Sequence, residues 1–307
     1  MGTMNCCHAQ GGQPIPDNAD QLEPVVEPLQ MHTPLVECFA NMSSLRELTQ
    51  RDNTPMPHHF AIPSHGGTGC PQKRLLAYGD SLTAGFCNQG QEYHPYAPFL
   101  MDALMPVIAA DIAMCGLIGL TAEQLLSQVD AVSIVDKMAQ RGPGLRKIIL
   151  QRGPFDLVLI LVGTNDLSLQ GHKGLDMDEK ADIIFGHIKA LHEVCHDAGV
   201  STVSMSIPPN RCMNIMEGPW VGYRRLWDSV NAKLQSWASA AKDSAKGVAL
   251  HVDTNRIVPY DEDSAWWEED GLHLSPEGSA QLGQALAHEI CAVLSDSQQW
   301  WQYSPQE

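Results

Sequence analysis

The chain has 307 residues, of which 44% are hydrophobic, so it can bury a sizeable core in one large domain with an extension. Its formal net charge of -17 excludes nucleic acid and anionic membrane surfaces as favoured partners, because like charges repel. No stretch contains the roughly 18 consecutive apolar residues of a membrane span, so no transmembrane segment is expected.

The cysteines and the N-terminal region give further indications. Nine cysteines without a repeating spacing are typical of free thiols in a reducing compartment, and no signal-peptide pattern is present, so we expect a cytoplasmic protein. Residues 1–72 are rich in Pro, Gly, Gln, His and Asn, which predicts a poorly ordered extension. Its histidines His58, His59 and His65 lack a carboxylate or thiolate at a ligand-like spacing, so no metal site is predicted.

From Arg74 onward, apolar runs alternate with helical patterns, which is typical of βαβ units around a parallel sheet. A last helix is predicted after Ser275, its N-cap, with Pro276 at the first helical position. Residues 73–297 are thus predicted to form one three-layer α/β/α domain with a doubly wound, five-stranded parallel sheet, followed by a tail over residues 298–307. The predicted strands are 75–78, 111–115, 157–162, 201–207 and 248–252, and the other helices 96–105, 122–138, 178–198 and 223–241.

The segment Gly79-Asp80-Ser81 follows the first predicted strand and precedes a helix. Gly79 permits a tight turn, and Asp80 is a common turn residue. Ser81 would then lie at a helix N-terminus, where free N–H groups stabilise negative charge on a nearby oxygen. Ser81 is therefore a candidate nucleophile, and an ordinary helix N-cap is the alternative interpretation.

Two further segments follow predicted strands. Asn165, in Gly163-Thr164-Asn165-Asp166, carries a side-chain amide that can stabilise an oxyanion without titrating. Gly119, in Gly116-Leu117-Ile118-Gly119, can bring a backbone N–H close to a substrate oxygen. Ordinary turn chemistry is the alternative for both segments, and Gly116 remains an alternative to Gly119.

The last segment is Asp270-Gly271-Leu272-His273, just before the final helix. With two residues between them in a tight turn, the Asp270 carboxylate can accept from Nδ1 of His273 while Nε2 faces outward. This arrangement would orient the imidazole as a general base. A surface aspartate beside a capping histidine is the alternative, but all these segments fall at the carboxyl edge of the same predicted sheet, where ligands bind.

Taken in order, the four segments resemble the four sequence blocks of the SGNH, or GDSL-type, hydrolases. The resemblance covers roughly residues 73–297 and implies the flavodoxin-like SGNH fold. It also implies that Ser81, Asp270 and His273 are catalytic, and that the oxyanion hole is formed by Ser81, Gly119 and Asn165. The family's usual Asn before the glycine block is replaced by Met114-Cys115, which keeps Gly116 open. An α/β-hydrolase elbow fits less well, because Thr83 stands where its second glycine belongs.

The resemblance implies a serine esterase that needs neither a metal nor an organic cofactor. We expect a small, water-soluble carboxylic ester as substrate, because no extended apolar surface segment suggests a lipid partner. A carbohydrate O-deacetylase is an alternative, and so is a non-catalytic binding module on the same fold. The sequence does not determine the oligomeric state.

Four residues are expected to contact the substrate. Trp266 and Trp267 precede the Asp270 turn and could form the wall of an acyl or aryl pocket, or could simply pack this loop onto the core. Arg211 could bind an anionic leaving group, or be a solvated arginine. Asp80, beside the candidate nucleophile, is assigned to the same group.

Overall fold

The computed structural model describes residues 72–168, 174–215, 221–241 and 247–296 of the chain. Its centre is a sheet of five parallel strands, which confirms the predicted α/β fold class with its doubly wound sheet. The strand order β2-β1-β3-β4-β5 reverses direction between β1 and β3, and that is where ligands bind in such sheets. The strands are β1 (Lys73–Gly79), β2 (Ala110–Gly116), β3 (Leu157–Leu161), β4 (Ser201–Met205) and β5 (Val248–Val252).

The central strands are apolar because both of their faces are covered. All five residues of β3 are buried. In β1, Leu76 and Tyr78 enter the core on one face of the sheet, whereas Leu75 and Ala77 enter the core on the other. A strand buried on both faces cannot show polar alternation, which is why these runs are continuously hydrophobic.

Helices lie on both faces of the sheet. Side chains of α3, α4, α5 and α6 belong to one core, and those of α2 and α8 belong to the other. The helices are α1 (Ser81–Ala84), α2 (Tyr96–Leu104), α3 (Ala122–Ser127), α4 (Leu145–Arg152), α5 (Met177–Asp197), α6 (Val221–Ala241), α7 (Thr254–Ile257) and α8 (Pro276–Asp296). Two short 3₁₀ turns span Asn88–Gly90 and Arg211–Asn214.

Side-chain caps explain where several helices begin. Thr121 forms a reciprocal capping box with Gln124 at the start of α3. Asp176 forms the same motif with Glu179 at the start of α5. Ser275 Oγ accepts a hydrogen bond from the Gly278 N–H at 3.1 Å. The predicted N-cap of the last helix is therefore confirmed.

The helix predicted over residues 122–138 is wrong in its second half. Helix α3 ends at Ser127, and the chain then turns into a hairpin in which Ile134–Val135 pairs with Arg141–Gly142. β-Branched residues such as Ile134 and Val135 favour extended backbone, and this local preference prevails over the helical spacing. Helix α4 and a second hairpin, Phe86–Cys87 with Glu92–Tyr93, were not predicted.

Some predictions fall outside the described residues. The extension over 1–72, apart from Gln72, and the tail over 298–307 lie there, so these boundaries remain predictions. The histidines His58, His59 and His65 lie there as well. The cysteines in the described ranges, Cys87, Cys115, Cys195, Cys212 and Cys291, all have free thiols. Within the same ranges, no helix combines the length and the hydropathy needed to cross a bilayer.

Candidate active site

Ser81 lies at the carboxyl end of β1, as the first residue of the short helix α1. Asp80 caps this helix, since its Oδ1 accepts from the Leu82 N–H at 3.0 Å. A Cβ at Gly79 would overlap with the carbonyl oxygen of Leu161, so only glycine lets β1 and β3 approach so closely at this turn. Ser81 is thus held on a tightly constrained turn, with 4% of its surface exposed.

His273 reaches Ser81 from the loop before α8. Its Nε2 lies 3.0 Å from Ser81 Oγ, and its Nδ1 lies 2.7 Å from Asp270 Oδ2. These two contacts fix both nitrogens of the imidazole, and the ring is 1% exposed. The structure therefore brings together the three predicted catalytic residues, separated by 192 positions along the chain between Ser81 and His273. Such distances are those of a base poised to accept the hydroxyl proton.

The turn that carries Asp270 is closed by its own backbone. Asp270 Oδ1 accepts from the N–H groups of Leu272 at 2.8 Å and His273 at 2.9 Å. Gly271 adopts φ +63°, a left-handed conformation that suits glycine. Burial alone would raise the pKa of Asp270, but His273 and these N–H groups outweigh it and hold the pKa below the ordinary value. Asp270 is therefore a carboxylate oriented to stabilise an imidazolium.

The hairpin after Ser81 supports His273 from a second side. The Phe86 ring packs on the imidazole, with 4.6 Å between ring centroids. Glu268 joins the hairpin to the catalytic turn: its carboxylate accepts from the Cys87 thiol at 3.1 Å and the Asn88 N–H at 2.9 Å. The Glu268 N–H in turn donates to the carbonyl of His273 at 2.9 Å. Neither Phe86 nor Glu268 was singled out by the sequence motifs.

The loop after β2, residues 117–122, has an informative pattern of backbone hydrogen bonds. Three of its N–H groups donate to side chains: that of Ile118 to Asp136, that of Thr121 to Gln124 and that of Ala122 to Asp166. The N–H groups of Leu117 and Leu120 donate to backbone carbonyls. Within the described ranges, the N–H of Gly119 donates to no acceptor, and neither does that of Ser81. Backbone N–H groups in a folded protein are nearly always paired, so these two donors are candidates for binding a substrate oxygen.

Position 116 requires glycine for a packing reason. It is the last residue of β2, where it pairs with Gly79. A Cβ at Gly116 would overlap with the backbone of Ala84 in α1. Its small size is therefore needed for packing helix α1, whereas Gly119, at φ +73°, lies in the loop itself. This geometry favours Gly119 over Gly116 as the oxyanion donor.

Asn165 and Asp166 connect the turn after β3 to this same loop. Asn165 Nδ2 donates to the carbonyl of Leu120 at 3.0 Å, which leaves its second amide hydrogen for another acceptor. Both carboxylate oxygens of Asp166 accept from the Ala122 N–H, at 3.0 and 2.9 Å. Burial raises the pKa of Asp166 to about 7, against the lowering effect of that N–H. Asn165 thus lies beside the loop of Gly119.

The residues expected to contact the substrate lie in different surroundings, and two of them are buried. Asp80 is fully buried as a helix cap, so the predicted contact with substrate is not supported. Burial raises its pKa to about 6, although the Leu82 N–H and His273 lower it. Trp267 is buried against Tyr260 and donates from Nε1 to the carbonyl of Pro259 at 3.0 Å, so it packs the loop onto the core.

Trp266 and Arg211 are only partly buried. Trp266 borders the core on the α2 and α8 face of the sheet. The Arg211 N–H donates to the carbonyl of Gly271 at 2.9 Å, so Arg211 supports the far side of the Asp270 turn. Contacts of Trp266 and Arg211 with substrate stay predictions.

No described group of three or more His, Cys, Asp or Glu side chains is arranged to bind a metal ion. Asp136 is a further residue that the sequence patterns missed, because the helix predicted over 122–138 concealed its position in a hairpin turn. Its carboxylate accepts three backbone N–H groups. An Asp flanked by a β-branched run and the Gly142-Pro143-Gly144 break was the available signal.

Comparison with known proteins identifies the family. The model of the GDSL-like Lipase/Acylhydrolase family matches residues 77–281. A search of curated proteins found no match.

Solved structures share the fold at low sequence identity. An acetyl esterase mutant with acetate ion is 15% identical with a TM-score of 0.52, covering 73% of this chain and 99% of its own. A carbohydrate esterase family 3 protein from Talaromyces cellulolyticus is 14% identical with a TM-score of 0.51 and the same coverage, 73% and 99%. A psychrotrophic esterase from Pseudoalteromonas sp. is 18% identical with a TM-score of 0.50, again with 73% and 99% covered.

Proposed function

The chain belongs to the GDSL-like lipase/acylhydrolase family, and from this premise we propose that it is a serine esterase acting on small, water-soluble carboxylic esters through an acyl-enzyme intermediate. In the proposal, Ser81 is the nucleophile, His273 the general base and Asp270 the residue that orients it. One observation carries the proposal. His273 Nε2 lies 3.0 Å from Ser81 Oγ while its Nδ1 lies 2.7 Å from Asp270.

The reaction follows from these positions. His273 removes the hydroxyl proton as Ser81 Oγ attacks the ester carbonyl carbon, and the carbonyl oxygen becomes an oxyanion. The N–H groups of Ser81 and Gly119 and the side-chain amide of Asn165 stabilise that charge. The imidazolium then gives its proton to the leaving alcohol. Water, deprotonated by His273, attacks the acyl-enzyme and releases the acid with Ser81 restored. No metal or organic cofactor enters these steps.

The burial of the site supports a small substrate. Ser81 is 4% exposed and His273 1% exposed, so little of either residue contacts solvent. Phe86, which packs on His273, forms a compact buried apolar cluster with Ala84, Ile118 and Met138. We therefore expect acetyl and other short acyl groups to be the best substrates.

The test is an ester panel assayed on the wild type and Ser81→Ala in parallel. The panel runs from p-nitrophenyl acetate to p-nitrophenyl palmitate and includes acetylated sugars. We expect hydrolysis of short esters by the wild type and none above background by Ser81→Ala, which should fold because its side chain is only one oxygen smaller.

Other outcomes are equally informative. Undiminished activity in Ser81→Ala would remove the nucleophile assignment. A maximum at the palmitate ester would contradict the proposed substrate size. Acetate release from acetylated sugars far above that from the aryl acetate would instead identify a carbohydrate O-deacetylase.

A further inference from the structure

The loop that carries Gly119 is held from behind by the hairpin of residues 134–142. Ile134 pairs with Gly142 and Val135 with Arg141, and the turn between them contains Asp136 and Lys137. A Cβ at Gly142 would lie 2.9 Å from the sulfur of Cys115 at the end of β2, so the hairpin packs closely on the strand from which the loop emerges.

Asp136 and Lys137 bind both polar groups of Ile118. The Ile118 N–H donates to Asp136 Oδ2 at 3.0 Å, and the Lys137 N–H donates to the Ile118 carbonyl at 3.1 Å. The Ile118 carbonyl and the Gly119 N–H belong to one peptide unit. Since that unit is planar and trans, its C=O and N–H point in opposite directions. A carbonyl directed at Lys137 therefore forces the Gly119 N–H to the side away from the hairpin.

The turn itself is organised around the Asp136 carboxylate. Asp136 Oδ1 accepts from the N–H groups of Met138 at 2.9 Å and Gln140 at 2.8 Å, in addition to the bond between Oδ2 and Ile118. The side chain is 2% exposed. Gln140 also donates from Nε2 to the Tyr93 hydroxyl at 2.6 Å, which ties the turn to the hairpin after Ser81. The Asp136 carboxylate thus holds the turn that carries the Lys137 N–H, together with backbone bonds from the Asp136 N–H to the Gln140 carbonyl at 2.9 Å and from the Ala139 N–H to the Asp136 carbonyl at 3.1 Å.

We infer that Asp136 is a positioning residue for the oxyanion hole, which holds the Ile118–Gly119 peptide so that the Gly119 N–H faces the reacting carbonyl. The inference rests on the proposed function, because it needs an oxyanion to form at Ser81. Asp136 lies outside the four sequence blocks and contacts no reacting atom. It acts through the peptide that it holds.

The carboxylate is chemically suited to this role. Three N–H donors converge on two oxygens that only accept hydrogen bonds. An asparagine offers one accepting oxygen and an NH₂ group, so at least one of the three donors would face another donor. Asp136→Asn therefore keeps the size of the side chain while releasing either Ile118 or the turn.

The experiment measures kcat and KM for p-nitrophenyl acetate in the wild type, Asp136→Asn and Asp136→Glu. Rates are divided by the folded fraction from circular dichroism. We expect Asp136→Asn to lower kcat about tenfold or more while KM changes less than about threefold, since loss of one oxyanion donor costs roughly 10²–10³ in kcat. Asp136→Glu keeps the charge but displaces it by one methylene, so it should show a smaller loss of the same kind.

Asp130→Asn is the matched control. Asp130 lies before the same hairpin and forms an exposed ion pair with Arg146 at 2.7 Å. Its substitution should leave kcat and KM unchanged.

Three results would overturn the inference. The first is an unchanged kcat in folded Asp136→Asn. The second is an increase in kcat in Asp136→Asn. It would mean that the negative charge of Asp136 destabilises the oxyanion, and that its hold on the Ile118–Gly119 peptide does not contribute to the rate. The third is failure of both Asp136 variants to fold, which would make the residue purely structural.

Ser81→Ala, assayed in parallel, separates this inference from the proposed function. If Ser81→Ala is inactive and Asp136→Asn is normal, the proposed function stands and only the inference fails. If Ser81→Ala is fully active, both fail.

Discussion

At the scale of single residues, Asn165 shows how one side chain can serve two needs of a site. One hydrogen of its amide donates to the Leu120 carbonyl at 3.0 Å and so holds the loop of Gly119. In the proposed mechanism, the other hydrogen donates to the oxyanion. The neighbouring Asp166 fixes the same loop through the Ala122 N–H. A substitution of Asn165 thus removes this donor and its bond to Leu120, whereas the bonds of Asp166 to the Ala122 N–H remain to hold the loop.

Asn165→Ala should therefore lower kcat on p-nitrophenyl acetate by roughly a hundredfold or more, with the fold intact, because one stabilising donor is lost from the transition state. The measurement is steady-state kinetics together with a thermal unfolding curve. Asn165→Asp is the control for side-chain size, and we expect a similar loss, since an ionised carboxylate donates no hydrogen bond. A raised KM with unchanged kcat would show instead that Asn165 binds the ground state.

At the scale of elements, helix α1, which begins at Ser81, has only four residues and depends on its neighbours for its position. Asp80 caps it at one end, and Gly85 ends it with φ +70°. Gly116 at the end of β2 lies so close that a Cβ would overlap with the backbone of Ala84. Backbone contact therefore helps to position the helix, together with the buried side chains of Leu82 and Thr83.

Gly116→Ala should displace α1 and with it Ser81, because a backbone clash cannot be relieved by a change of rotamer. We expect a loss of esterase activity of about tenfold or more and a lower unfolding temperature, since overpacking costs roughly 1–3 kcal/mol. Gly186→Ala is the matched control: Gly186 lies within α5, where an added Cβ meets no atom of the described residues within 4 Å. There, alanine should raise stability by about 0.5–1 kcal/mol and leave activity unchanged. Equal activity in the two variants would contradict the packing argument.

At the scale of the whole molecule, titratable groups are buried outside the candidate active site as well as within it. His192 of α5 is fully buried, with Nδ1 2.8 Å from Thr202 Oγ1 of β4 and its ring 5.1 Å from that of Trp237. Burial, with smaller effects of His196 and His251, lowers the pKa of His192 to about 3. The packing of a helix layer on the sheet thus requires a neutral imidazole.

The sign of the pH effect follows from that pKa. Between an ordinary histidine pKa of about 6.5 and the value of about 3, the unfolded chain binds a proton that the native protein does not. His192 therefore makes the native state less stable as pH falls through this window. Asp80, Asp136 and Asp166 act oppositely, because burial raises each pKa, to about 6, 6 and 7, and protonation relieves their burial.

We expect His192→Gln to change the slope of the unfolding free energy against pH between pH 6.5 and pH 4 by on the order of 1 kcal/mol per pH unit, so that the variant gains stability relative to the wild type as pH falls, since one proton uptake by the unfolded chain is removed. The measurement is urea unfolding at several pH values. The readout is the slope of the unfolding free energy against pH. A loss of stability from the changed packing that is the same at every pH does not affect this slope. Parallel curves for the variant and the wild type would show that His192 does not take up the proton.

The sequence predicted those structural features that depend on residues close together along the chain. Ser275 and Pro276 define a helix start by their own chemistry, and the run Leu157–Leu161 is apolar enough to require burial on both faces. The GDSL-type blocks, read in order, identified the family and the fold. The helix predicted over residues 122–138 is wrong after Ser127, because the helical spacing of that segment and its β-branched residues favour different structures. Contacts with β2 and Tyr93 favour the hairpin.

The sequence by itself determined the class of fold, the family and the types of residue available for chemistry, because strand periodicity, caps and ordered motifs depend on near neighbours along the chain. The tertiary structure alone decided that His273 lies against Ser81, that Asp80 is buried rather than open to substrate, and that Asp136 lies behind the Gly119 peptide. These are contacts between segments far apart in sequence, and they depend on packing, which no local pattern records.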